Sequence, residues 1–210
     1  MLVASDTTML RVGLTGGVAC GKSTVGAMLA ARGAHFLQAD TLAHQLYLPG
    51  TPVYEAIVCA FGNDIVRSDG FIDRAALANK AFPARISELN AIVHPAVIEA
   101  QNRWLAEQEH AGPNGIAVLE AALLIEAGAA KDFDKVIVVT CPFERKVENY
   151  AHRAGVSQEV ARQEVERRSA AQFTDEEKAR HADFVIDNLG TLEELERQVE
   201  RVWGELGASR

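Results

Sequence analysis

The chain has 210 residues, 48% of them hydrophobic, and a formal net charge of -8. That length carries the core of one α/β domain, and the acidic balance argues against a nucleic-acid partner, which favours a basic face. No apolar run approaches the roughly 18 to 20 residues of a membrane span, so no membrane partner is expected.

Met1 to Thr8 lack the basic start and apolar middle of a signal peptide. They read as an extension, with Met9 an alternative start immediately before the first strand. Leu10 to Leu14 is a short apolar run and reads as a buried strand. Gly16-Gly17-Val18-Ala19-Cys20-Gly21-Lys22-Ser23 follows it, and Thr24 to Arg32 reads as a helix with Val25, Met28 and Leu29 on its apolar side. Gly33 closes that helix, and Ala34 to Gln38 reads as a second strand. A long helical insert is expected from about Thr41 to Gln108, with a tight turn at Asp69-Gly70. Gly112-Pro113-Asn114-Gly115 then punctuates the return to the sheet.

Ile116 to Leu119 is continuously apolar, as a central parallel strand should be. Val136 to Val139 is four β-branched residues in a row, and Phe184 to Ile186 is a last short strand. Glu144 to Ala182 reads as helical and dense in charge. Thr174 to Glu177 and Thr191 to Glu194 fit capping boxes. The final helix places Leu192, Leu195, Val199, Val202 and Leu206 on one face for packing on the sheet. Strands separated by helices predict an α/β fold, a doubly wound parallel sheet. The expected division is one domain over 1–210, with a core at 10–40, 113–143 and 183–206. A helical acceptor-binding insert takes about 41–112 and a helical lid about 144–182.

The glycine-rich segment is the G-x-x-x-x-G-K-[ST] phosphate loop, and strand, turn and helix in that order are the context it requires. Its glycines let backbone N–H groups curl round a phosphate. The helix that follows directs its positive end at the same anion. Lys22 can reach the terminal phosphates, and the Ser23 hydroxyl can ligate Mg²⁺. A nucleoside triphosphate with Mg²⁺ is the expected ligand, and the absence of an N-K-x-D guanine signature argues against a GTPase. Asp40 stands at the carboxyl edge of the sheet, where ligands of open α/β folds bind. It reads as a base for an attacking hydroxyl, as a water-mediated Mg²⁺ contact, or as a helix cap. The charged segment after the Val136 strand reads as a lid or as a solvated helix face. The cysteines Cys20, Cys59 and Cys141 form no C-x-x-C and no zinc-spaced cluster. Reduced thiols in a cytoplasm are the economical reading.

From Leu10 to about Val202 the chain resembles the dephospho-CoA kinases. The resemblance is carried by Gly13 to Val25, Ala39-Asp40, Pro49-Gly50, Phe61-Gly62, and the run Asp69-Gly70-Phe71-Ile72-Asp73-Arg74 with Leu77. It continues through His94-Pro95, Leu123-Leu124 with Glu126, Ala171-Gln172, and Ala182 to Asn188. It implies transfer of the ATP γ-phosphate to the ribose 3′-hydroxyl of dephospho-CoA, a small-molecule partner; the oligomeric state, monomer or weak homo-oligomer, stays open.

The resemblance also implies roles. Gly17, Ala19, Cys20, Gly21, Lys22, Ser23 and Thr24 would hold the ATP phosphates, with Ser23 on the metal and Asn188 near the adenine. Lys22, Asp40 and Arg153 would be catalytic. Thr15, Asp40, Arg74, His94 and Leu123 would place the acceptor, and Gln172 would belong to the lid. The chain departs from the family pattern at Gln38, where the family commonly has Asp, and at Lys146, where it has Gln. It departs again at Asn149, where the first lid arginine is expected, and Glu120 stands where an aspartate is frequent.

Overall fold

A computed structural model describes residues 9–208. The extension expected over Met1 to Thr8 lies outside them. The described chain falls into two compact units, residues 9–38 with 108–208, and residues 39–107.

The first unit is built on five parallel strands, β1 (Leu10–Gly16), β2 (His35–Gln38), β3 (Ile116–Glu120), β4 (Lys135–Thr140) and β5 (Phe184–Asp187). They lie side by side in the order β2-β3-β1-β4-β5. All five expected strands are present. Leu14 pairs with Glu120 and Gly16 with Val139, so β1 ends between β3 and β4. Helix α1 covers Lys22–Ala31, two residues earlier than the sequence suggested. The left-handed Gly21 (φ 94°) ends the loop abruptly, which places Lys22 and Ser23 already in the first helical turn. At its other end Gly33 N–H reaches Ala30 O and Ala34 N–H reaches Leu29 O, a Schellman closure.

Alternation along the strands sorts the core. Val12, Leu14, Val118, Ile137 and Val139 pack with Val25 and Leu29 of α1 and with Leu195, Val199, Val202 and Leu206. Those last four belong to the final helix, Leu192–Ala208. Leu192 itself is 61% exposed, contrary to expectation: it opens the first turn, and the buried face begins at Leu195. Val136 and Val138 point the other way, against Leu124, Ile125 and Phe133. Close packing also needs Gly26, where an added Cβ would lie 2.1 Å from Phe36 Cζ.

The second unit holds α2 (Ala39–Leu46), α3 (Pro52–Phe61), α4 (Arg74–Ala81) and most of α5 (Ile86–Ala111). Its core is Val53, Ile57, Phe61, Ile65, Ile72, Leu77 and Ala81. The expected Asp69-Gly70 turn is present: Gly70 has φ 84° and donates to Arg67 O at 2.9 Å. Ile72 is buried behind it. Asp73 caps α4 by accepting the N–H groups of Ala75 and Ala76. The three helices in the charged segment are α6 (Phe143–Ala154), α7 (Gln158–Ser169) and α8 (Asp175–Ala179), and the final helix is α9. Both expected capping boxes form, Thr174 with Glu177 and Thr191 with Glu194.

Candidate active site

The phosphate loop runs from the end of β1 into α1 as a tight curl. Gly16 has φ 149°, and a Cβ there would meet Val139 O at 2.1 Å. At Gly21 a Cβ would meet Asn188 Nδ2 at 2.6 Å. Ala19 has a positive φ of 55°, the sole non-glycine to do so among the described residues. An L-residue enters that region only against steric resistance, so the surroundings must hold it. Asn149 of α6 does so, donating its amide to Ala19 O at 2.8 Å. Asn188, just past β5, does the same for Cys20 O at 2.9 Å.

Lys22 is 9% exposed and folds back over the loop, donating to Gly16 O at 3.2 Å and Gly17 O at 2.8 Å. Ser23 and Thr24 are exposed in the first turn of α1. The Ser23 hydroxyl donates to Glu120 Oε1 at 3.3 Å, and the Gln38 amide donates to Glu120 Oε2 at 3.0 Å. A carboxyl at position 38 would face Glu120 as a like charge; the amide makes it a partner. Ser23 and Glu120 together present hydroxyl and carboxylate oxygens, the hard donors that Mg²⁺ takes.

Below the loop, Cys20 and Cys141 are buried and their thiols share a hydrogen bond. That bond, working against burial and helped by Lys146 and Lys22, lowers the Cys20 pKa. Cys141 is raised by the same bond and by burial. Lys146 of α6 pairs with Asp175 at 2.9 Å. Arg145 donates to the carbonyls of Leu189 and Gly190 at 3.1 and 3.2 Å.

A second polar cluster lies where α8 meets the segment after β3. Lys178 is fully buried, pairs with Glu126 at 2.8 Å and donates to Ala122 O at 2.8 Å. Thr15 is also buried, and its hydroxyl reaches the same carbonyl at 3.3 Å. Glu126 further accepts the Phe173 N–H at 2.9 Å. Leu123, beside this cluster in sequence, is 49% exposed. Sequence reasoning gave no role to Asp175 or Lys178; the capping box around them was the sole local signal.

The remaining expected site residues have surroundings of their own. Arg153 closes α6 with its guanidinium over the Tyr150 ring at 5.5 Å. In the second unit, Asp40 is exposed in the first turn of α2, so the chain turns helical before reaching it and β2 ends at Gln38. Arg74 opens α4, contacts His44 Nε2 and lines a cavity of about 440 Å³ with Tyr47, Arg67 and Phe71. His94 is exposed on α5.

Residues 10–194 match the family model described as dephospho-CoA kinase. The chain belongs to the dephospho-CoA kinase family. A dephospho-CoA kinase of Geobacter sulfurreducens is 46% identical, the match covering 91% of this chain and 96% of that protein. One from Symbiobacterium thermophilum is 45% identical over 91% of this chain and 79% of its own. Among solved structures, TT1252 from Thermus thermophilus superposes with a TM-score of 0.77 at 34% identity, covering 95% of this chain and 98% of that one. Membership in the dephospho-CoA kinases makes the chain an ATP-dependent kinase, and its phosphate loop is the nucleotide-binding element of that family.

Proposed function

We propose that this kinase transfers the γ-phosphate of ATP to the ribose 3′-hydroxyl of dephospho-CoA, the last step of coenzyme A synthesis, and that it works in the cytoplasm. The observation that carries the reading is the braced loop, Gly16 to Ser23, within a chain that matches the family over residues 10–194. In-line phosphoryl transfer needs little covalent chemistry from the protein; it needs phosphates positioned and charge neutralised. Gly17, Ala19, Cys20, Gly21, Ser23 and Thr24 supply backbone and hydroxyl donors. Lys22 holds Gly16 and Gly17 carbonyls here, and on ATP binding its ammonium passes to the terminal phosphates. Asn188, which fixes Cys20 O, borders the adenine.

Ser23 and Glu120 are the residues that would hold Mg²⁺, which when bound neutralises phosphate charge. Asp40 takes the proton of the attacking hydroxyl. Arg74 and His94 orient the acceptor, with Arg74 supplying positive charge to the cavity beside Tyr47 and Phe71. Thr15 and Leu123 complete that set, and Arg153 and Gln172 belong to the closing lid.

The test is mass-spectrometric detection of CoA after incubation with ATP, Mg²⁺ and dephospho-CoA. Nucleosides and gluconate serve as competing acceptors. Phosphate transfer to one of those in preference to dephospho-CoA overturns the acceptor. A Lys22→Ala chain that keeps full activity overturns the loop assignment.

A further inference from the structure

Helix α6 turns one face toward the phosphate loop. Lys146 and Asn149 are three residues apart and so lie on the same side of the helix. Asn149 reaches Ala19 O, and Lys146 reaches Gly17. A Cβ built on Gly17 would lie 2.8 Å from Lys146 Nζ and 2.9 Å from Asp175 Oδ1. The pair therefore fills the space that a side chain at position 17 would occupy. The Gly17 carbonyl is meanwhile held by Lys22 Nζ at 2.8 Å. Lys22 thus binds the Gly17 peptide while the Lys146–Asp175 pair packs against its Cα.

Asp175 ties this contact to the rest of the fold. Its carboxylate receives Lys146 Nζ at 2.9 Å and the backbone N–H of Cys141, just past β4, at 3.3 Å. It is also the first residue of α8, which the Thr174–Glu177 box anchors. The side chains are 13% and 19% exposed, so water competes weakly for either charge. Burial works against the Lys146 charge, yet the negative charge of Cys20 as thiolate and of Asp175 outweighs it, and the pKa is raised. The lysine is a fixed cation. Two other basic residues of the segment are engaged elsewhere: Arg145 on Leu189 and Gly190, Arg168 on Glu164.

We propose that Lys146, held by Asp175, is a positioning residue that seats the phosphate loop at Gly17 and sets its affinity for the ATP phosphates. This rests on the reading of the loop as an ATP site. Lys146 acts through Gly17 and touches no reacting atom. Removing it empties the space against Gly17 and leaves the Asp175 carboxylate, now unpaired, beneath a loop that must receive an anion. Removing the Asp175 charge lets the lysine swing away from Gly17. Both changes loosen the curl without touching Lys22, Ser23 or the second unit.

The test is calorimetric titration of the full chain with ATP and Mg²⁺, beside thermal melting of each variant. Lys146→Met and Asp175→Asn are each expected to weaken ATP binding roughly tenfold while remaining folded, the scale of one lost charge-assisted hydrogen bond. Lys146→Arg, which keeps a cation able to reach Asp175, recovers most of the loss. A folded Lys146→Met or Asp175→Asn chain that binds ATP like the parent overturns the proposal, as does a Lys146→Arg chain as weak as Lys146→Met. A parent chain that binds ATP but forms no CoA leaves the seat standing and removes only the acceptor. A parent chain without ATP affinity removes both.

Discussion

The amide of Asn149 sits 2.8 Å from the carbonyl oxygen of Ala19, the loop residue held at φ 55°. Position 149, where the family resemblance led to the expectation of a lid arginine, serves here as a brace on the loop backbone. Losing one such hydrogen bond costs about 1 kcal/mol. Asn149→Ala should weaken ATP binding by about fivefold, measured by calorimetry, with a melting temperature near that of the parent. Unchanged affinity would show that Ala19 keeps its conformation unaided.

Gly16 and Gly21 admit no side chain. A Cβ at Gly16 would collide with the backbone oxygen of Val139, which cannot move aside as a side chain can. Gly16→Ala should destabilise the first unit by about 3 kcal/mol, read as a lower urea midpoint. Gly21→Ala meets only the Asn188 amide. It should cost less stability and instead abolish nucleotide binding, because both the φ of 94° and the Asn188 contact are disturbed.

Asp40 is exposed at the start of α2, where a carboxylate also favours the helix dipole. A general base and a helix-end charge are separated by one substitution. Asp40→Asn should leave ATP affinity near normal and lower turnover by roughly 10², followed by coupled ADP release. Turnover that survives would reduce Asp40 to a dipole partner.

The Glu126 carboxyl is pushed up by burial, but Lys178, its own backbone N–H and that of Phe173 outweigh this and hold the pKa below the usual glutamate range. The folded carboxyl therefore protonates at lower pH than the unfolded one. Its contribution is whole above the unfolded value near ~4.3 and is lost as pH falls through the folded value. Urea midpoints of the parent should decline across that acid window. Glu126→Gln leaves the Lys178 ammonium buried without a counter-charge and should cost about 3 kcal/mol at neutral pH. Its midpoints should also vary less with pH in the same window.

The sheet was legible because its strands are unbroken apolar runs such as Val136 to Val139, whose β-branched side chains suit a strand buried on both faces. The loop was legible because its function needs particular glycines at fixed spacing. The boundary at Lys22 was not, since the early helix start depends on the backbone angle of Gly21. Leu192 matched the helical period but lies one turn short of the sheet. The charged and polar pairs were hidden for a different reason. Lys146 with Asp175, Glu126 with Lys178 and Ser23 with Glu120 are pairs brought together only by the folded chain. A sequence shows each charge and conceals its counterpart.

Gly26 touches the Phe36 ring so closely that helix α1 rests on β2 with no spacer between them. The anion cradle is continuous with that helix, so its tilt is governed more than a full turn away by a residue that never meets a ligand. A methyl group inserted there would act as a shim under a lever: catalysis would drift out of alignment while every residue of the cradle kept its identity.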